Sequence, residues 1–224
     1  MVISIGGDGT LLQAFRDYRN QVEDVLFVGV HSGNLGFYTD WQLGELDLFL
    51  EAVIKGEYEE ECFPLLQTEI ELEHETKRCL AMNEITISDA HRTLSLNVYV
   101  DGVLFETFRG TGFCASTPSG STAYNKSLGG AVIHPDINAF QLTEMASINN
   151  KIYRTIGAPL LFADTQRVTM EFLELQNNAV FTNDHFTLSG EIIRAIHLSV
   201  AKEKVRFARY RKHNFWKRVK NAFI

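Results

Sequence analysis

The five residues Gly6-Gly7-Asp8-Gly9-Thr10 constrain this chain more than any other segment. They close the apolar run Val2-Ile3-Ser4-Ile5 and precede a helical pattern. A short β-branched run bounded by glycine reads as a buried parallel strand. Three glycines in four positions let the backbone turn sharply and admit a ligand without a Cβ in the way. The helix that follows offers N–H groups at its start, a seat for phosphate. Asp8 is out of keeping with a bare phosphate cradle, because a carboxylate repels the anion unless it has a task. Binding a metal ion or taking a proton from an attacking hydroxyl would be such a task. A plain strand-to-helix turn with Asp8 as N-cap is the structural alternative.

Residues 2–63 alternate strand-like and helix-like patterns. Leu11, Leu12, Phe15 and Tyr18 recur at helical spacing, and Val25–Val30 reads as a second buried strand. Leu43, Leu46, Phe49, Leu50, Val53 and Ile54 form a further helical stripe that Gly56 can end. This alternation predicts a Rossmann-like α/β layer with a parallel sheet. Ligands of such sheets sit beyond the carboxyl ends of the strands, at Gly6–Thr10 and His31–Tyr38.

From about residue 65 the period changes to two. Leu66–Leu72 alternates, Leu94–Val100 alternates again, and Asp101-Gly102 supplies a hairpin turn to Val103–Phe108. Further strand-like runs lie at 167–173, 179–188, 192–200 and 204–210. The expectation is an α/β domain over 1–64, a β-rich domain over 65–205, and a tail or helix over 206–224 returning to the first, α+β overall.

Composition narrows the function classes. A net charge of -7 argues against a general nucleic-acid binder, although the last twenty or so residues are basic. Those basic side chains are expected on a solvated face or at a subunit contact. Three scattered cysteines without metal-ligand spacing fit reduced thiols in a cytoplasmic protein. No apolar run is long enough to span a bilayer, and no signal peptide is visible.

Three further segments carry chemistry. Asn83-Glu84 interrupts the apolar run Leu80–Ile87, and an amide next to a carboxylate can hold a vicinal diol. Arg109–Tyr124, running on to Gly130, is rich in glycine and hydroxyls: Ser116, Thr117, Ser119, Ser121 and Thr122 offer donors. Such a loop suits a phosphate, a sugar or a planar base. His31–Tyr38 ends in Phe37 and Tyr38, which suit stacking on a base or covering the core. Asn183-Asp184-His185 reads as a hairpin turn able to add polar contacts at a site edge. A Walker A lysine, a serine nucleophile elbow and zinc spacing are absent from the sequence.

Taken in order, Gly-Gly-Asp-Gly-Thr, Asn-Glu, and Ser-Thr-Pro-Ser-Gly-Ser-Thr-Ala-Tyr with Gly-Gly after it resemble the NAD kinase family. The likeness continues through His134-Pro135, Met145–Asn150, Arg154–Pro159, Arg206–Arg209 and Phe215–Arg218, and is greatest to the short enzymes of Gram-positive bacteria. It implies phosphoryl transfer from ATP, or inorganic polyphosphate, to the 2′-hydroxyl of the adenosine ribose of NAD. On this likeness Asp8 is the general base and Gly9 lines the dinucleotide, while Asn83 and Glu84 hold ribose hydroxyls. Thr122, Ala123, Tyr124 and Ser127, with Ser119 nearby, match the adenosine side; Arg109 and Ala146 line the site. Phe37, Tyr38 and His185 are further carry-overs. The resemblance also implies Mg²⁺ or a similar divalent ion with ATP, and a homotetramer or homodimer.

Two departures from the family pattern stand out. Thr111 occupies the place of a family aspartate, so altered rather than abolished dinucleotide affinity is expected. Relatives carry an earlier strand and helix, so the expectation is a truncated or smaller N-terminal layer with an exposed sheet edge. The rival readings are a lipid or sugar kinase of the wider Gly-Gly-Asp-Gly group and a non-catalytic NAD-binding family member.

Overall fold

The computed structural model describes residues 1–33, 36–174, 177–184 and 186–224. It divides into two compact units, one of Met1–Phe63 with Glu203–Ile224, the other of Pro64–Lys202.

The first unit is α/β. Val2–Ile5 pairs in parallel with Leu26–His31, which pairs in parallel with Trp41–Gln42 and with Arg206-Phe207 of the strand Ile193–Arg209. Parallel pairing needs crossover connections, and the helix Asp8–Asp17 supplies the first. Its buried residues Leu11, Leu12 and Phe15 are those the helical spacing marks. Gly7, not Asp8, is the N-cap: Asp8 is the first helical residue, and its carboxylate is used elsewhere. Val2–Ile5 lies at the edge of the sheet, with Ile3 and Ile5 43% and 53% exposed.

The helix Leu46–Lys55 ends at Gly56, whose φ of 72° is the left-handed cap anticipated for it. Its apolar stripe is only partly used: Phe49 is buried, whereas Leu43, Leu50 and Ile54 are exposed. The core of this unit gathers Val28, Val30, Trp41, Phe49 and Ala208, with Tyr38 stacked almost flat on Phe207. The helix Phe215–Phe223 is capped by Asn214, whose side chain accepts the Lys217 N–H at 2.9 Å.

The second unit is built from antiparallel pairings. Leu94–Val100 and Val103–Gly110 form the hairpin expected at Asp101-Gly102, where both residues have positive φ. Val168–Phe172 pairs with Leu94–Val100 on one side and with residues 195–198 on the other. Glu59–Leu72 pairs with Thr76–Ala81 over residues 66–71. A second sheet runs Leu160–Ala163, Ala139–Met145, Gly112–Ser116, Glu84–Ser88, Val180–Asn183, Phe186–Leu188. Alternate residues from these strands, among them Leu66, Ile85, Leu96, Phe108, Phe113, Phe140 and Phe181, form one apolar core.

Three sequence expectations are redrawn. The run 80–87 is two strands broken at Met82-Asn83, and 179–188 is two strands joined at Asp184. The runs at 192–200 and 204–210 are one continuous strand, Ile193–Arg209. After Ser116 the chain enters a 3-10 turn, Ser119–Thr122, and a helix of only four residues, Tyr124–Ser127.

Candidate functional site

In the first unit the site is organised around Asp8. Its Oδ2 accepts the Phe37 N–H at 2.7 Å and its Oδ1 accepts the Tyr38 N–H at 3.1 Å. Each oxygen thus meets one backbone donor and keeps further acceptor capacity. The approach is close enough to require glycine at position 36, where an added Cβ would stand 2.1 Å from Oδ1. Gly6 is similarly confined, since a Cβ there would meet Thr10 Oγ1 at 2.2 Å. The glycine turn therefore presents a half-buried carboxylate whose direction is set by the backbone of a second loop.

That second loop is held from behind by arginines. Arg218 Nη1 donates to the carbonyls of Gly36 and Thr39, both at 2.6 Å, and Nη2 donates to Asp40. Arg209 Nη1 donates to Tyr38 O at 3.1 Å and to Asp40 Oδ2 at 2.7 Å, while its Nε donates to Glu61 at 2.6 Å. Burial draws the Arg218 pKa down, against the opposing pull of Asp40. Glu61 is held down to about 2: burial alone would raise it, but the hydrogen bond from His213 and the charge of Arg209 outweigh that.

The basic tail divides by residue type: Lys202, Lys204, Lys212, Lys217 and Lys220 are exposed, as a solvated face requires, whereas the arginines pair with neighbours. Arg206 pairs with Glu60, Arg211 lies 3.5 Å over the Trp41 ring and bonds Glu45, Arg209 is buried, and Arg218 is half-buried. Arg209 and Arg218 thus turn inward within this unit, while Arg206 and Arg211 stay partly exposed. Phe37 and Tyr38 likewise cover the core. The Tyr38 ring is 3% exposed, and the Phe37 ring packs against Phe215 and Phe223 at 6.2 and 6.0 Å. What these two residues bring to Asp8 is backbone N–H.

In the second unit the site centres on the break at Asn83-Glu84. Asp184, at φ 46°, turns its carboxylate onto three successive N–H groups, those of Met82 at 2.8 Å, Asn83 at 2.9 Å and Glu84 at 3.2 Å. The hydroxyl-rich loop braces the same break. Thr117 N–H donates to Asn83 O at 2.8 Å and Thr117 Oγ1 donates to Met82 O at 2.6 Å. Gly120 lies so close that an added Cβ would stand 2.1 Å from Asn83 O.

The hydroxyls of this loop are mostly spent on its own construction. Ser116 donates to Thr117 O, Ser121 to Pro118 O, and Thr122 to Ser119 O. Ser119 Oγ is the exception, buried without a hydrogen-bond partner among the described residues. Glu84 is also unsatisfied at its buried Oε2, and its pKa is pushed up to about 8, by burial first and the Asp184 charge second. A protonated carboxyl can donate as well as accept, which suits a hydroxylated ligand.

Tyr124 and Ser127 are exposed just beyond this loop, with Thr122 and Ala123 half-buried. Arg109 stacks 4.6 Å over the Tyr153 ring and donates to its hydroxyl at 2.7 Å. Thr111 donates its N–H to Met145 O at 3.0 Å, one residue before Ala146, which is exposed at φ 46°. Asn83, Glu84, Ser119 and the 122–127 segment are thus gathered in one region. Arg109, Thr111 and Ala146 form a second group beside Gly110 and Gly112. His185 lies outside the described residues. Asp184, expected within a turn able to add polar contacts, braces the Asn83-Glu84 break through its carboxylate, and the clamp of Arg218 lies beyond any local pattern, its partners being more than 170 positions away.

A parallel α/β unit with a held carboxylate at its glycine turn, and a β-rich unit with a braced amide–carboxylate pair, are the equipment of a phosphotransferase acting on a hydroxylated nucleotide. Residues 1–58 match the ATP-NAD kinase N-terminal domain and residues 82–210 the ATP-NAD kinase C-terminal domain. The chain is 50% identical over 229 residues to NAD kinase 1 of Bacillus subtilis, and 48% identical over 226 residues to NAD kinase 1 of Halalkalibacterium halodurans. Each match covers all of this chain and 85% of the relative. The yeast NADH kinase complexed with NADH has a TM-score of 0.85 at 19% identity, covering 99% of this chain and 64% of that one. An NAD kinase of Archaeoglobus fulgidus in complex with ATP has a TM-score of 0.75 at 24% identity, covering 99% and 80%. These two likenesses show the fold. The chain belongs to the NAD kinase family.

Proposed function

We propose that the chain is an NAD kinase that moves a phosphoryl group from ATP, or polyphosphate, to the 2′-hydroxyl of the adenosine ribose of NAD, forming NADP. The observation that carries the mechanism is the Asp8 carboxylate, fixed by two backbone N–H groups at the start of a helix. A ribose hydroxyl is a weak nucleophile. Asp8 takes its proton as the ribose oxygen forms a bond to the γ-phosphorus and the bond to the β-phosphate oxygen breaks, releasing ADP. The helix start favours the anionic transferring group.

The Asn83 amide and the Glu84 carboxyl fit the vicinal hydroxyls of a ribose, with Ser119, Thr122, Ala123, Tyr124 and Ser127 along the adenosine. Arg109, Thr111, Gly9 and Ala146 line the rest, and Thr111, lacking a carboxylate, is expected to weaken rather than abolish the hold on the dinucleotide. Among the described residues no three His, Cys, Asp or Glu side chains gather into a metal cage. A Mg²⁺ ion accompanying ATP, as the resemblance implies, would neutralise charge on the transferring phosphate, and Asp8 is the carboxylate that would help hold it. No helix among the described residues is long and apolar enough to cross a membrane. We place the enzyme in the cytoplasm, as a homotetramer or homodimer.

The test is NADP formation from NAD and Mg²⁺ with ATP or polyphosphate as donor, alongside thermal shift by NAD. The wild-type protein is expected to make NADP, and Asp8→Asn to lose roughly 10²–10⁴-fold in kcat while still binding NAD. NAD binding without NADP from either donor would leave a binding protein. Phosphorylation of a lipid or sugar with no NAD shift would overturn the dinucleotide reading.

A further inference from the structure

The helix Phe215–Phe223 has no part in the chemistry above, yet it delivers a guanidinium to the rear of the Asp8 loop. We infer that Arg218 is a positioning residue for Asp8, acting through the single peptide group between Gly36 and Phe37. The inference rests on the reading of Asp8 as the general base.

The geometry is that of a relay. The carbonyl of this peptide, on Gly36, accepts from Arg218 Nη1 at 2.6 Å, and its N–H, on Phe37, donates to Asp8 Oδ2 at 2.7 Å. A peptide group is planar, so fixing one end fixes the direction of the other. A cation on the carbonyl and an anion on the N–H polarise the group in the same sense, which strengthens both bonds. Arg218 also closes the far end of the turn, through Thr39 O at 2.6 Å and the Asp40 carboxylate. The fork of arginine can serve these three acceptors from two nitrogens at once, and the point charge of lysine does not match it.

Docking of the helix does not depend on this clamp. Phe215 is 5% exposed, Phe37 packs against Phe215 and Phe223, and Asn214 caps the helix. The Arg218 side chain is itself only 11% exposed. Asp40 also pairs with Arg209, so the bonds that Arg218 adds to the Gly36 and Thr39 carbonyls suit a positioning role. Holding a carboxylate to within a fraction of an ångström is such a role, since a shift of about 1 Å at a reacting group can cost about 10²-fold in rate.

The experiment is a cycle of Arg218→Met, Asp8→Asn and the double variant, with Arg218→Lys alongside, assayed for NADP formation with NAD, ATP and Mg²⁺. Arg218→Met is expected to lower kcat at least about 10-fold with KM for NAD within about 2-fold, because the loss falls on the transition state. Arg218→Lys should fall between it and wild type. In the Asp8→Asn background Arg218→Met should cost less than about 2-fold further, since the residue it positions is already disabled. Equal losses in both backgrounds, or wild-type kcat in Arg218→Met, would overturn the inference while leaving Asp8 as base. Wild-type kcat in Asp8→Asn would overturn the base itself and the inference with it. Should Arg218→Met fail to fold, Arg218→Lys carries the same cycle, with non-additivity again the supporting result and additivity the opposing one.

Discussion

Asp184 accepts the backbone N–H of Glu84 at 3.2 Å while its charge opposes ionisation of the Glu84 side chain. One carboxylate thereby fixes the position of its neighbour and helps hold it neutral. Burial is the larger cause, and together they place Glu84 at about 8 in the folded protein against an ordinary 4.5.

The sign of the stability effect follows. A carboxyl with a raised folded pKa contributes stability in full below its unfolded value, and loses it as pH rises from about 4.5 through about 8. Glu84→Gln, which cannot ionise, should therefore gain on wild type across that window. The expected gain is on the order of 2 kcal/mol, or about 4–8 °C in Tm, read by thermal melts at the two ends. A Tm difference that stays constant with pH would show that Glu84 does not titrate there.

Glu61 titrates in the opposite sense. Its pKa falls to about 2 against an ordinary 4.5, so its contribution is present above about 4.5 and is lost as pH falls toward about 2. Glu61→Gln is expected to cost about 1–3 kcal/mol near neutrality and progressively less in acid, measured by urea unfolding at stepped pH.

Gly36→Ala places a methyl 2.1 Å from Asp8 Oδ1, so the carboxylate or the loop must move. At least a 10-fold loss of kcat is expected, with NAD binding retained. Gly33→Ala, whose added Cβ meets nothing within 4 Å among the described residues, is the matched control. Equal activity of the two variants would mean that the close approach has no catalytic consequence.

Gly120→Ala should damage the break at Asn83-Glu84 in the second unit. The added Cβ meets the backbone carbonyl of Asn83 at 2.1 Å, and a backbone carbonyl in a braced turn yields less than a side-chain end. A stability loss of about 1–3 kcal/mol is expected, with a smaller NAD thermal shift.

Much of this was legible in the residues. The period-two runs with Asp101-Gly102 announced their hairpin, Gly56 its helix end, and the glycine turn its strand and helix. Local patterns failed where a partner is distant. A run of arginines near residues 206–218 reads as solvated until Asp40 and Glu61 are brought against it. Composition marked the loop 116–122 as rich in donors, but only the folded backbone reveals that nearly all point inward. The stripe on Leu46–Lys55 shows the converse, an apolar pattern of which this unit buries little beyond Phe49. Asp184 read as a turn residue and is one, yet its carboxylate serves a strand break a hundred positions earlier.

The clamp from Arg218 to the turn at Gly36 spans 182 positions of sequence. On the ribosome, then, the glycine turn, its helix and the Asp8 loop are made long before the guanidinium that completes them, and the whole of the β-rich unit is translated in between. Closing so long a loop is entropically slow compared with local folding. A nascent chain can thus carry the glycine turn and its helix before the guanidinium that directs Asp8 is made, and a directed base waits on the far side of the β-rich unit.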